Sequence, residues 1–85
     1  MGKYNIVLKR SAEKELRSIE KSDKSILIKK IQNLSEDPFP PQSQKLNSRD
    51  QYRLRWGKYR ILYEIDKNIL TIIVVKIGQR KNIYK

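Results

Sequence analysis

Apolar and polar residues alternate along the stretch from Tyr52 to Tyr63. A period of two is typical of a β-strand with one buried face. Gly57-Lys58 interrupts the alternation, and a two-residue loop that begins with glycine favours a type II′ turn. We therefore predict a β-hairpin in which Trp56 lies opposite Tyr59 and the rest of the register follows from that pair.

This register assigns each side chain of the hairpin to a face, because successive side chains point to opposite sides of a strand. The core face is predicted to carry Tyr52, Leu54, Trp56, Tyr59, Ile61 and Tyr63. The other face is predicted to carry Arg53, Arg55 and Arg60, with Arg55 opposite Arg60. Like charges opposed across two strands destabilise a sheet by up to about 1 kcal/mol. The pair therefore indicates an anionic ligand.

Two interpretations of these arginines are open. They can simply solubilise the exposed face of an antiparallel sheet, with their stems lying over it and their charged groups in water. The opposition of Arg55 and Arg60, with Arg80 and Lys81 in the same basic segment, favours a phosphate-binding face instead.

Two segments before the hairpin have the apolar spacing of helices. Ser11 is the predicted N-cap of the first, and Ser22-Asp23 the predicted start of the second. Their apolar stripes are Ala12, Leu16 and Ile19, and then Leu27, Ile31 and Leu34. Prolines at positions 38, 40 and 41 end the second helix near Asp37. We predict two antiparallel helices, joined around Lys21, that pack on one face of the sheet.

Three further strands complete the predicted sheet. Lys3 to Lys9 alternates as a first strand, and Gln44 to Leu46 is predicted as a short edge strand. Ile69 to Ile77 is a continuous apolar run, which predicts a central strand that ends at Gly78. A strand, two helices and then three or four antiparallel strands make an α+β fold, with the helices on one face and the other face open and basic.

The length of the chain, 85 residues, predicts a single domain with one modest core. Twenty Lys and Arg against nine Asp and Glu give a formal net charge of +11. A domain this basic is expected to attract nucleic acid or the ribosome, with an anionic membrane or an acidic protein as alternatives. No secretory signal or membrane-spanning run is evident, so we expect a cytoplasmic protein without a membrane partner.

Cysteine and histidine are both absent. Their absence excludes disulfides, thiolate zinc sites and nucleophiles that depend on a histidine base. An active site in this chain would work mainly with Arg, Lys and Tyr, and we expect neither a metal nor a cofactor.

Several pieces of the chain, taken in order, resemble the RelE branch of the RelE/ParE toxin superfamily. They are the two-helix opening, Lys45-Leu46, the strand Tyr52-Arg-Leu-Arg, the run from Gly57 to Glu64, and the run from Val75 through Arg80 to Tyr84. The resemblance covers nearly the whole chain. It implies one RelE-like toxin domain over residues 1–85, with the α+β fold of these microbial ribonucleases.

In that family the toxin cleaves messenger RNA in the ribosomal A site, without metal, by attack of the ribose 2′-hydroxyl on the neighbouring phosphate. The resemblance implies catalytic roles for Arg53, Arg55, Arg60, Arg80 and Tyr84. Lys45, Lys58, Lys76 and Lys81 are expected to bind RNA. The implied partners are an antitoxin, the ribosome and its message. The free toxin is expected to be monomeric and the toxin–antitoxin complex oligomeric.

The general base stays open. Some relatives have lysine where this chain has Arg53 and Arg55, and an arginine with a pKa above about 12 scarcely loses a proton. Tyr84, Lys58, Lys76 and Lys81 are the candidates, unless the ribosome supplies the group. Two other functions are also open: a ParE-like toxin that acts on DNA gyrase, and a non-catalytic domain that binds RNA or DNA.

Overall fold

The computed structural model describes residues 3–46 and 50–79 of the chain. Its elements are β1 (Asn5–Leu8), α1 (Arg10–Arg17), α2 (Lys21–Asn33), β2 (Ser43–Lys45), β3 (Gln51–Trp56), β4 (Tyr59–Asp66) and β5 (Thr71–Gln79). The strands form one sheet in the order β1-β5-β4-β3-β2, and both helices lie against one face of it. The predicted α+β architecture, a strand and two helices followed by four antiparallel strands, is confirmed.

The hairpin of β3 and β4 has the predicted register. Trp56 lies opposite Tyr59, Arg55 opposite Arg60, and Leu54 opposite Ile61. Gly57 adopts a φ of 57°, in the left-handed region that glycine enters without the steric cost of a Cβ atom. The turn therefore depends on the glycine that the sequence places first in the loop.

The first strand, β1, pairs in parallel with β5, so that Asn5 lies beside Thr71 and Leu8 beside Val74. The sequence pattern does not predict this partner. A parallel pair needs a long crossover, and here the crossover contains both helices and three strands. The pairing brings the beginning of the described chain next to its last strand.

Both helices begin earlier than predicted. Helix α1 starts at Arg10 after Lys9, which provides no side-chain cap, so the prediction of Ser11 as N-cap is wrong. The Ser11 hydroxyl donates instead to the carbonyl oxygen of Val75 at 3.0 Å, which links the helix to the sheet. Helix α2 ends at Asn33, before the predicted end near Asp37, because the next amides form tighter turns to carbonyls three residues back.

Strand β5 differs from its prediction at both ends. Ile69 and Leu70 lie in the loop before it, and Ile69 is 62% exposed, so the predicted start is wrong. Leu70 adopts a φ of 48°, which is incompatible with an extended strand. The strand also continues through Gly78 to Gln79, because the backbone of this segment stays paired with β4 as far as Tyr59.

A β-bulge interrupts the ladder between β4 and β5. Leu62 lies opposite Lys76, whereas Tyr63 lies opposite Val74, so Val75 is an extra residue on β5. The extra residue reverses the alternation of faces. Val74 and Ile77 are both fully buried in the core, and Lys76 lies on the exposed side of the sheet.

The core lies between the helices and the inner face of the sheet. Its buried apolar side chains are Ala12, Leu27, Ile31, Leu34, Tyr52, Leu54, Tyr59, Ile61, Tyr63, Ile65, Ile72, Val74 and Ile77. Most of the predicted core face of the hairpin is in this set, and Trp56 packs against it half-buried. No helix in the described part of the chain is long and apolar enough to cross a membrane.

Candidate functional site

The sheet face that points away from the helices carries a cluster of cations, which we call the arginine face: Arg53, Arg55, Arg60 and Lys76. They lie on two neighbouring cross-strand rows. The first row runs from Arg55 across Arg60 to Gly78. The second runs from Gln44 across Arg53 and Leu62 to Lys76. The sheet therefore brings together three predicted catalytic arginines and one of the predicted RNA-binding lysines.

Arg60 lies at the centre of the first row and is only 3% exposed. Arg55 beside it is exposed, and Gly78 on its other side contributes no side chain. The guanidinium group of arginine carries a positive charge in proteins. The row thus combines a buried cation with a solvent-facing one directly across the strand.

Arg53 is fixed by a neighbour on the edge strand. Its Nη2 donates to the Oε1 atom of Gln44 at 2.9 Å. Its Nε atom is buried and has no hydrogen-bond partner among the described residues. Arg53 therefore keeps hydrogen-bonding capacity that the described residues do not use.

Sequence reasoning did not assign a role to Gln44. The alternation within β2 was the available signal, because it separates Gln44 from Lys45 by face. Only the pairing with β3 shows which of these two residues lies on the same side of the sheet as the arginines. Gln44 lies opposite Arg53, and Lys45 lies opposite Tyr52, whose side chain belongs to the core.

Two of the other predicted lysines, Lys45 and Lys58, are not brought to the arginine face. Lys45 lies on the helix side of the sheet, and Lys58 lies in the hairpin turn with its Nζ atom 5.6 Å from the centre of the Tyr59 ring. That contact is a cation–π interaction at the end of the sheet. Arg80, Lys81 and Tyr84 lie outside the described residues.

Two tyrosines of the core have raised pKa values. Burial, followed by the hydrogen bond that the Tyr59 hydroxyl donates to Asp23 Oδ2 at 2.9 Å, raises the pKa of Tyr59. Burial raises the pKa of Tyr63 to about 12. Both hydroxyls therefore keep their protons at neutral pH. Trp56 stacks on Tyr59, with ring centres 6.0 Å apart.

A cavity on the same side of the sheet lies next to the arginine face, beyond the row of Arg53 and Lys76. It has a volume of about 660 Å³, and its lining includes Asp50, Glu64 and Asp66. Glu64 accepts a hydrogen bond from Gln51 Nε2 at 2.9 Å. Three carboxylates make this cavity unfavourable for an anion, whereas the cations of the arginine face favour one.

The arginine face has the chemistry to bind a phosphodiester and to stabilise extra negative charge on it. Guanidinium groups bind phosphate oxygens with two parallel hydrogen bonds. Donors held in place before reaction can stabilise a transition state, and one such donor contributes about 2.7 to 4 kcal/mol in well-studied cases. Single-stranded RNA offers both the phosphate and an adjacent 2′-hydroxyl.

Comparison with known proteins gives a consistent result. Residues 6–84 match the family described as the ParE toxin of the type II toxin–antitoxin system parDE. The chain is 29% identical over 87 residues to a protein of Methanocaldococcus jannaschii named as a RelE1 toxin, and the match covers 98% of this chain and 97% of that one.

Solved structures share the fold over nearly the whole chain. In the RelE–RelB complex of Pyrococcus horikoshii, the matching chain has a TM-score of 0.84 and 25% identity, covering 92% of this chain and 96% of that one. The isolated RelE toxin of Escherichia coli has a TM-score of 0.81 and 22% identity, covering 95% and 90%. With the family match over residues 6–84, the chain belongs to the ParE toxin family of type II toxin–antitoxin systems and is a RelE-like toxin of the RelE/ParE superfamily.

Proposed function

We propose that this toxin is a ribosome-dependent endoribonuclease that cleaves messenger RNA in the ribosomal A site and so inhibits translation. The observation that carries the proposal is the direct opposition of Arg55 and Arg60 on the arginine face. Like charges directly opposite each other destabilise a sheet, and an anion bound beside them would reduce the repulsion. A phosphodiester of the message is the anion that a basic toxin would meet on the ribosome.

The proposed reaction needs no metal. The ribose 2′-oxygen attacks the adjacent phosphorus, the bond to the 5′-oxygen breaks, and the products are a 2′,3′-cyclic phosphate and a free 5′-hydroxyl. One proton leaves the 2′-hydroxyl and one reaches the departing 5′-oxygen. Arg55 and Arg60 stabilise the charge that collects on the phosphoryl oxygens. Arg53 and Arg80 supply further positive charge on the phosphate backbone.

Tyr84 is proposed to stack on an unstacked base of the message, since aromatic stacking is how single-stranded RNA is commonly held. It also remains a candidate for the proton-transfer group, together with Lys58, Lys76 and Lys81. The arginines are unsuited to that role because they stay protonated.

A cognate antitoxin is the second proposed partner. The matching structure from Pyrococcus horikoshii is a complex of RelE with RelB, and a positive net charge of +11 favours an acidic partner segment. We propose that this partner blocks or distorts the arginine face. The free toxin would be a cytoplasmic monomer and the complex with antitoxin an oligomer.

A gyrase-directed toxin is the alternative, and the observation that favours it is the match to a family described as ParE toxins. A non-catalytic nucleic-acid-binding domain would use the same arginine face. Such a domain would lose affinity gradually as single charges are removed. A nuclease would lose cleavage abruptly at one or two positions while it still binds the ribosome.

Primer extension on a translated message, with purified ribosomes, tests the proposal. The wild-type protein is compared with Arg55→Ala, Arg80→Ala and Tyr84→Ala, and with Lys29→Ala on the exposed side of α2 as a matched control. Cuts confined to the A-site codon, lost in the first three variants and kept in the control, would support it. A folded wild-type protein that makes no cuts but arrests growth would favour the gyrase-directed alternative.

A further inference from the structure

The bulge at Val75 decides the position of Lys76. If the ladder continued regularly from the pair Tyr63 and Val74, Ile61 would lie opposite Lys76. Ile61 is a core residue, so Lys76 would then point into the core. Because Val75 is an extra residue, Lys76 lies opposite Leu62 and on the arginine face instead. Bulges that redirect a side chain are common beside active sites.

Helix α1 holds the bulge in place. The carbonyl oxygen of Val75 accepts a hydrogen bond from the Ser11 hydroxyl at 3.0 Å. The carbonyl oxygen of Val74 accepts one from the amide of Lys9 at 2.9 Å. These contacts give partners to the carbonyl groups of the bulged residue and of the residue before it, so the bulge is tied to the start of α1 and does not depend on β4 alone.

The two cationic rows are separated by one repeat of the strand pleat. Residues two apart on a strand are roughly 7 Å from each other, which is close to the separation of consecutive phosphates along an extended RNA strand. The first row presents Arg55 and Arg60. The second presents Arg53 and Lys76 on either side of Leu62, on strands that lie about 10 Å apart.

The next row sets a limit to this cationic surface. There Gln51 lies opposite Glu64, and the two side chains are joined by a hydrogen bond of 2.9 Å. A carboxylate at this position repels a phosphate. The described face is therefore cationic over two rows and acidic in the third.

We propose that Lys76, placed by the Val75 bulge, binds together with Arg53 the phosphate next to the scissile one. This inference rests on the proposed function, because it takes Arg55 and Arg60 to hold the scissile phosphate. Lys76 is a binding residue in this arrangement, and its ammonium group supplies a charge-assisted hydrogen bond to a phosphate oxygen.

The test uses ribosomes programmed with a message that has a 2′-deoxynucleotide at the cut site, so that the toxin binds without cleaving. Affinity is measured for the wild-type protein, Lys76→Gln, Lys76→Arg and the control Lys29→Gln. Each protein is measured on the unmodified backbone and on two messages that carry one neutral methylphosphonate, either just 5′ or just 3′ of the scissile phosphate.

We expect Lys76→Gln to weaken binding about tenfold on the unmodified backbone. Lys76→Gln should not weaken binding further on one of the two methylphosphonate messages, because the phosphate that Lys76 contacts is already neutral there. Lys76→Arg should restore binding because it keeps the charge, and Lys29→Gln should stay within about twofold of the wild type.

A Lys76→Gln protein that binds like Lys29→Gln, or that is weakened equally on all three messages, would overturn the inference. If the wild type cuts an all-ribose message under these conditions, the proposed function stands and only the role of Lys76 fails. If the wild type neither binds nor cuts, both fail together.

Discussion

A hydrogen bond from a neutral side chain orients one cation of the arginine face. Arg53 is a flexible side chain, and its one described partner is Gln44, which accepts from Nη2 at 2.9 Å. Holding a guanidinium in place before RNA binds reduces the entropy that binding must offset. Gln44 is thus a positioning residue, although it carries no charge.

Substitution of Gln44 tests this role. We expect Gln44→Ala to lower the rate of A-site cleavage about three- to tenfold, because Arg53 loses its orienting partner. Gln44→Glu should lower it further, since a carboxylate would compete with phosphate for Arg53. Both rates are measured with saturating ribosomes. Lys29→Ala on the exposed side of α2 serves as the control. Unchanged cleavage in both Gln44 variants would contradict the role.

The buried hydroxyl of Tyr63 should make the stability of the fold depend on pH in the alkaline range. Its hydroxyl is buried and donates to the carbonyl oxygen of Pro38 at 2.7 Å, and burial raises its pKa from 10.0 to about 12. The folded state binds this proton more tightly than the unfolded chain. The stabilisation is therefore fully present below pH 10 and is lost as the pH rises towards 12.

Urea unfolding of the wild type and Tyr63→Phe measures this loss. At about pH 8, Tyr63→Phe should cost about 1 kcal/mol of unfolding free energy through the lost hydrogen bond. Between about pH 10 and 12 the wild type should lose about 1 to 2 kcal/mol more than the variant, because only the wild type has this hydroxyl to ionise. Equal pH dependence in the two proteins would rule out Tyr63 as the source.

At the scale of elements, the sequence predicts structure formed between residues close in the chain, but it does not predict pairing between distant strands. The hairpin register follows from Gly57 and strict alternation, and the structure confirms it pair by pair. The bulge does not follow, because Val74, Val75 and Ile77 are all apolar and fit either face. The sequence near Asn5 does not indicate that β1 pairs in parallel with β5, because the alternation of apolar and polar residues in a strand does not depend on which distant strand pairs with it.

The same reasoning limits what could be predicted of the site. Alternation placed Arg53, Arg55 and Arg60 on one face, because the hairpin is local. Alternation could not assign Lys76 to a face of the sheet, because its side depends on the extra residue Val75. It could not choose between Gln44 and Lys45 either, because that choice depends on how an edge strand of three residues pairs.

Deleting Val75 tests the bulge. Without the extra residue, Lys76 follows Val74 directly and stays opposite Leu62 in a regular ladder, so it keeps its place on the arginine face. We therefore expect the deletion variant to fold, at a cost of about 1 to 3 kcal/mol because the Ser11 hydroxyl loses the carbonyl oxygen of Val75. Val75→Ala keeps the extra residue and should cost only about 1 kcal/mol. Circular dichroism and urea unfolding compare the two. A deletion variant that is mostly unfolded would contradict this register.

At the scale of the whole molecule, a net charge of +11 is combined with a cationic surface limited to two rows of the described sheet. Binding to single-stranded RNA should therefore weaken with salt, with a slope in log affinity against log salt of about −0.7 for each phosphate neutralised. Removing the Lys76 charge should make the slope shallower by about 0.7, whereas removing that of Lys29 should leave it nearly unchanged. Fluorescence titration of a short oligonucleotide over a range of salt gives both slopes. Identical slopes for the two variants would indicate a diffuse charge effect with no phosphate bound at Lys76.

The parallel pairing of β1 with β5 also has a consequence for synthesis. Thr71 is paired with Asn5, so the sheet closes only when two distant parts of the chain meet. Contacts of such long sequence separation form late in folding. On a translating ribosome, β5 emerges from the exit tunnel after the other described elements, and until then β1 has no strand to pair with. The β1 edge of the sheet is therefore completed last during synthesis.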